Sequence, residues 1–140
     1  MKISLKRLNK DYHFETVNER GDIVHLDNKT DAEPKGASPM DLLLRAIAGC
    51  SSIDIVMILK KQHLELEDLQ VEVEGHREDG AVPNVFKKIQ VNFFLKGDVT
   101  SAKAKRAVDL SMEKYCSVSK MLEKAAEINY AITLNGELIN

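Results

Sequence analysis

Apolar and polar positions repeat at two different periods along this chain, and the changes of period mark its elements. Near the N-terminus Ile3 and Leu5 alternate with Lys2, Ser4 and Lys6, and Tyr12, Phe14 and Thr16 alternate with His13 and Glu15. Val24 and Leu26 share a parity further on. Alternation of this kind predicts strands through the first 27 residues, with turns at an Asn-Lys pair and at Arg20-Gly21. Residues 28–37 (NKTDAEPKGA) are polar and read as a loop.

The period then changes. Ser38 is a good N-cap, Pro39 suits the first helical position, and Asp41 stands three residues after the cap. These signals predict a helix from there to about Gln62, with Lys60 and Lys61 in the last turn, where cations favour the helix dipole. The segment 53–59 (IDIVMIL) is apolar on nearly every side. A helix that is apolar all round needs cover all round. One small domain cannot easily supply that, so a partner subunit is the simplest cover.

Leu69, Val71 and Val73 alternate with Gln70, Glu72 and Glu74, and Ile89, Val91, Phe93 and Leu95 share the inner face of a further strand. A hairpin loop over 76–84, with Gly80 and Pro83, joins the two. Residues 101–115 carry a helical stripe of Ala104, Ala107, Val108, Ser111, Met112 and Tyr115. Val118, Met121, Leu122 and Ala125 make a second, shorter stripe, and Ile128, Tyr130, Ile132 and Leu134 alternate in a closing strand. The order βββ-α-ββ-αα-β predicts an α+β fold with a mainly antiparallel sheet.

Composition narrows the function classes. A chain of 140 residues and 15.7 kDa is expected to form a single domain over 1–140. Twenty Lys and Arg against 22 Asp and Glu leave a net charge of −2, without the basic excess of a nucleic-acid binder. The longest apolar stretch is interrupted by Asp41, Arg45 and Asp54, which argues against a membrane span. The charged N-terminus is not a signal peptide, so a cytoplasmic location is expected. His13, His25, His63 and His76 are scattered, and no CxxC, HxxxH or His-Cys spacing points to a metal. No cofactor is expected.

Cys50 and Cys116 carry the obvious reactive option. Cys50 lies within the long helix, in Ala-Gly-Cys-Ser-Ser, and Cys116 at the junction of two helical stripes. A thiol at a helix N-terminus can be acidified by unpaired backbone N–H groups, and Cys116 has that setting. Asp54, four residues after Cys50 on the same helical face, would raise the Cys50 pKa unless a cation neutralised it. Residue pattern alone leaves both a redox pair and two buried inert thiols open.

The segment SPMDLLLRAIAGCSSIDIV, followed far downstream by YCSVSKMLEKAAEINYAI, resembles the OsmC/Ohr family. Its peroxidases place a first cysteine in a central helix entered through Ser/Asn-Pro, as at Ser38-Pro39 and Cys50. A second cysteine stands in Cys-Pro-Val-Ser, matched here by Cys116 to Ser119. The resemblance implies an intertwined α+β homodimer, with antiparallel sheets around a long buried central helix and active sites at the subunit interface. It further implies reduction of organic hydroperoxides. Cys50 would attack, Cys116 would resolve, an arginine (Arg20 rather than Arg7) would activate the thiolate, and an external dithiol would reset the pair. The chain departs from the family where Met40 replaces the glutamate after the proline and Ser117 replaces the proline after the second cysteine. Those departures keep two alternatives in view: a non-catalytic dimer binding a small apolar ligand, and a peroxide sensor.

Overall fold

The computed structural model describes residues 1–30 and 32–140. The chain divides into two compact units, Met1–Leu43 and Leu44–Asn140. Met1–Leu43 holds the strands β1 (Ile3–Arg7), β2 (Phe14–Asn18) and β3 (Ile23–Leu26), paired antiparallel in the order β1-β2-β3. The strands expected in the first 27 residues are therefore present. Past β3 the chain stays tied to it: Ala37 N–H donates to the His25 carbonyl and Asp27 N–H to the Ala37 carbonyl. Asp27 is buried here, and its carboxylate accepts the backbone N–H groups of Asn28 at 2.7 Å and Lys35 at 3.0 Å. The Lys35 N–H holds this carboxyl below its usual range despite burial. The polar loop expected at 28–37 is seen at its described residues, and Asp31 lies outside them.

Helix α1 (Pro39–Lys61) starts in the first unit and runs on through the second. Its start is a reciprocal capping box: Asp41 N–H donates to Ser38 Oγ at 3.3 Å, and Ser38 N–H to Asp41 Oδ2 at 3.4 Å. Its end is a Schellman turn. His63 takes a positive φ of 57°, Leu64 N–H reaches the Leu59 carbonyl, and His63 N–H reaches the Lys60 carbonyl. Ile47, Ser51, Ile55 and Leu59 form one buried stripe at a spacing of four. The 53–59 turn is not buried all round within the single chain, since Ile53 is 63% and Met57 49% exposed.

The Leu44–Asn140 unit is built on a four-stranded sheet. Its strands are β4 (Asp68–Arg77), β5 (Phe86–Lys96), β6 (Glu127–Leu134) and β7 (Glu137–Leu138), in the order β4-β5-β6-β7. Strand β5 is one of the two interior strands, and Ile89, Val91, Phe93 and Leu95 on one of its faces are buried. Gly75 on β4 lets the Phe86 ring lie close, since a Cβ there would stand 2.4 Å from that ring. Strands β5 and β6 pair parallel, not antiparallel. The helical segments between them are long enough to supply the crossover a parallel pair requires. The two-residue strand β7, too short to show a periodicity, escaped the sequence reading.

The helical crossover also differs in detail. The segment expected as one helix over 101–115 is α2 (Ser101–Leu110) followed by a single π turn, Ser111–Tyr115. Ala104, Ala107, Val108, Ser111 and Met112 are buried as expected, whereas Tyr115 is exposed. The short helix α3 (Ser117–Leu122) buries Ser119, while Met121 and Ala125 face outward. Tyr130 of β6 fastens the crossover to the sheet. Its hydroxyl donates to Asp109 Oδ1 at 2.9 Å and lies 3.2 Å from Glu113 Oε1. Burial and the Asp109 carboxylate raise the phenol above its ordinary pKa.

Ile55 has no exposed surface, so Ile55→Ala removes buried methyl groups without a route to water. Urea unfolding is expected to show a loss of about 2–5 kcal/mol. A loss below about 1 kcal/mol would contradict the placement of this stripe in the core.

Candidate functional site

The local chain explains why Cys116 is held where it is. The π turn ends with Cys116 N–H donating to the Ser111 carbonyl at 2.8 Å, a five-residue step. Cys116 then leaves helical geometry, with φ −67° and ψ 103°, and becomes the N-cap of α3. Its sulfur accepts the Ser119 N–H at 3.3 Å. The next turn is locked in the same way, by Ser119 Oγ–H donating to the Met112 carbonyl at 3.2 Å. Single π turns occur often at functional sites.

Helix α1 supplies the opposite wall. Cys50 and Asp54 are one turn apart on it, and both are half-buried. The sulfurs of Cys50 and Cys116 and a carboxylate oxygen of Asp54 all lie within 4.8 Å of one another. Ser111 joins the two walls. Its hydroxyl donates to Asp54 Oδ2 at 3.1 Å, and the Ser51 carbonyl is 3.4 Å away. Both cysteines are reduced. A disulfide needs sulfurs about 2.05 Å apart, so bonding requires the two to approach by less than about 3 Å.

The two thiols are not equivalent. Cys116 has no exposed surface, and burial pushes its thiol up to about 11, with the Ser119 N–H opposing and the Cys50 sulfur reinforcing the rise. The acidified thiol expected at this helix N-terminus is therefore not found. Desolvation penalises the thiolate more than the backbone N–H stabilises it. Cys50, by contrast, is partly open to solvent.

Next to Asp54 lies a cavity of about 480 Å³ lined by Asp54, Met57, Ile58, Leu110 and Tyr115, together with Lys61 and Gln62. It is mostly apolar and borders the dithiol through the Asp54 side chain. Arg20, the third residue expected to act, sits in the β2–β3 turn of the Met1–Leu43 unit. There its guanidinium pairs with Asp22 at 2.6 Å and is largely exposed. The sequence reading missed two contributors. Ser111 was read as one more member of a buried stripe, although a hydroxyl between Val108 and Met112 is the kind of residue that needs a partner. Local spacing relates Asp54 to Cys50 alone, and nothing in it announces the approach of Asp54 to Cys116.

The raised Cys116 pKa makes a signed prediction. The folded state keeps this thiol protonated between its ordinary pKa of 9.0 and about 11, where the unfolded chain would lose the proton. Its contribution to stability is complete below pH 9.0 and is lost as the pH rises to about 11. The unfolding free energy of the protein minus that of Cys116→Ser should be flat below that window and decline across it. A flat difference throughout would contradict the buried, protonated thiol.

Three comparisons set this geometry among known proteins. The chain is 45% identical to Protein YhfA of Escherichia coli K12 over 98 residues, covering 69% of this chain and 72% of YhfA. A solved structure from Aquifex aeolicus VF5 superposes with a TM-score of 0.80 at 28% identity, covering 96% of each chain. An organic hydroperoxide resistance protein OsmC from Legionella pneumophila shares the fold at a TM-score of 0.70 and 17% identity, covering 95% of this chain and 97% of that one. The α+β architecture is thus that of OsmC-like folds. The family profile described as OsmC-like protein matches residues 31–131, which include both cysteines, Asp54 and Ser111, and the chain belongs to that family.

Proposed function

We propose that this protein is a thiol-dependent reductase of organic hydroperoxides, with Cys50 as the attacking and Cys116 as the resolving thiol. The observation that carries the reading is the asymmetry of two sulfurs held within 4.8 Å, one half-exposed and one fully buried. A peroxide can reach the first but not the second. The hydroperoxide resistance named for the Legionella pneumophila protein of the same fold supports the same substrate class.

The Cys50 thiolate attacks the distal oxygen of the hydroperoxide. A sulfur–oxygen bond forms, the oxygen–oxygen bond breaks, and the organic part leaves as an alcohol once it gains a proton. Cys50 is then a sulfenic acid, oxidised by two electrons. The Cys116 sulfur attacks Cys50, the disulfide forms, and water carries away the sulfenic oxygen. Cys116 is a thiol until that step, and its proton, passed through Asp54, whose carboxylate oxygen lies within 4.8 Å of the sulfur, completes the departing water. An external dithiol returns two electrons by exchange and is itself oxidised to a disulfide. The apolar cavity beside Asp54 suits the hydrocarbon part of an organic hydroperoxide better than hydrogen peroxide. Arg20 is the residue proposed to favour the Cys50 thiolate. Met40, where the family peroxidases have a glutamate, makes turnover slower than theirs.

The working form is proposed to be a cytoplasmic homodimer with an antioxidant role in the stress response. Ile53, Met57, Tyr115 and Met121 are exposed on Leu44–Asn140, and Ile3, Leu5, Ile23 and Val24 on Met1–Leu43. Water-facing apolar area on both units is what a second copy would cover. Sedimentation should show a dimer at micromolar concentration, and a stable folded monomer there would contradict this.

Turnover separates the enzyme from a ligand-binding dimer or a sensor. With cumene hydroperoxide and a dithiol, Cys50→Ser should lose peroxide consumption. Without added dithiol, Cys116→Ser should consume about one equivalent and stop at a Cys50 sulfenic acid, because that acid has no internal thiol partner. Equal consumption by wild type and Cys50→Ser would reject the proposed reaction.

A further inference from the structure

Cys50, Cys116 and Asp54 are three potential metal donors, and no local sequence spacing links the two cysteines. They come from α1 and from the junction after the π turn, 66 positions apart in the chain for the two sulfurs. Two sulfurs and one carboxylate oxygen within 4.8 Å form a compact donor set. A tetrahedral zinc ion with bonds of about 2.3 Å to sulfur and about 2.0 Å to oxygen needs its sulfurs about 3.8 Å apart and each sulfur about 3.5 Å from the oxygen. The present separations therefore need to close by no more than about 1.3 Å.

Three further features favour an ion here. Thiolates are soft donors and select zinc-like cations over magnesium or calcium, which prefer oxygen alone. The Ser111 hydroxyl on Asp54 Oδ2 and the Ser119 N–H on Cys116 Sγ fix two of the donors from behind, as metal ligands usually are fixed. Among the described residues, the ion pairs within Leu44–Asn140 are His76–Glu74, Lys96–Glu67, Lys105–Asp109 and Lys120–Glu123, and none of them involves Asp54.

We propose that the reduced protein binds one thiophilic divalent cation of the zinc class through Cys50 Sγ, Cys116 Sγ and an Asp54 carboxylate oxygen. A solvent oxygen takes the fourth position, on the side where Cys50 and Asp54 are half-exposed. Both thiols lose their protons on binding. The ion ties up the sulfur electron pairs that would attack a peroxide, so metal and peroxide compete for one reduced site. The inference uses the thiols of the proposed reductase but does not depend on their reaction.

The test is titration of the reduced, full-length protein with Cd²⁺ as a probe, read by its ultraviolet thiolate-to-metal charge-transfer band, with Zn²⁺ as competitor. The band should saturate at one ion per chain and be displaced by zinc. Cys50→Ser or Cys116→Ser should weaken binding by more than about 100-fold, and Asp54→Asn by about 10- to 100-fold with the band retained. Carbamidomethylation of the half-exposed Cys50 in wild type removes one donor without altering the buried chain, and it should abolish the band. Absence of a saturable band overturns the proposal, as does a band unaffected by Cys50 alkylation. Wild-type affinity in Asp54→Asn removes the carboxylate from the site and also overturns it. A one-to-one site in a protein that consumes no hydroperoxide supports this inference while contradicting the proposed reaction. Peroxide turnover without a metal band does the opposite.

Discussion

The hydroxyl of Ser111 meets Asp54 and the Ser51 carbonyl at the point where the crossover touches α1. Much of the site depends on that junction. Ser111 and its partners on α1 are about 60 residues apart in sequence, so the contact carries a loop-closure cost that burial elsewhere must offset. Ile47, Ile55 and Leu59 on α1, Ala104, Ala107, Val108 and Met112 on the crossover, and one face of β5 are buried in the same unit. A buried hydroxyl without a partner would cost about 1–3 kcal/mol, so the junction also selects one register of the helix against the crossover. A slide of one residue would turn Cys50 by about 100° away from Cys116.

The π turn acts on the same geometry from the other side. Had α2 continued as a regular α-helix, Cys116 would have entered its interior with its N–H bonded four residues back. The five-residue step to Ser111 instead delivers Cys116 to the start of α3, where its sulfur can accept the Ser119 N–H. Burial there outweighs that hydrogen bond and leaves the sulfur protonated at neutral pH. A buried, protonated sulfur is a poor first nucleophile and a protected second one. In the proposed reaction this difference assigns the first attack to Cys50 and the second to Cys116.

Strand alternation and the capping signals at Ser38, Pro39 and Asp41 made the main elements legible, because short-range sterics and local hydrogen bonds decide them. The resemblance around Cys50 and Cys116 carried the family and the nearness of those thiols. Three features were not legible, each for a non-local reason. The parallel pairing of β5 with β6 depends on which edge the crossover returns to, which no periodicity records. The π turn leaves the apolar stripe of Ala107, Val108 and Met112 almost unchanged, so a pattern of 3.6 residues continues through it. The raised Cys116 pKa reflects burial by chain segments remote in sequence, whereas the helix N-terminus that suggested the opposite sign is local. Asp54 was visible as a neighbour of Cys50 one turn away, but its approach to Cys116 exists only in the folded chain.

The account rests on two sulfurs acting as one redox unit within a single chain. The most direct test is peptide mapping by mass spectrometry after the reduced protein meets one equivalent of cumene hydroperoxide without added reductant. The account predicts a single product that has lost two hydrogens, with the Cys50 and Cys116 peptides joined to each other. Recovery of both peptides as free thiols, with the hydroperoxide unconsumed, would contradict it.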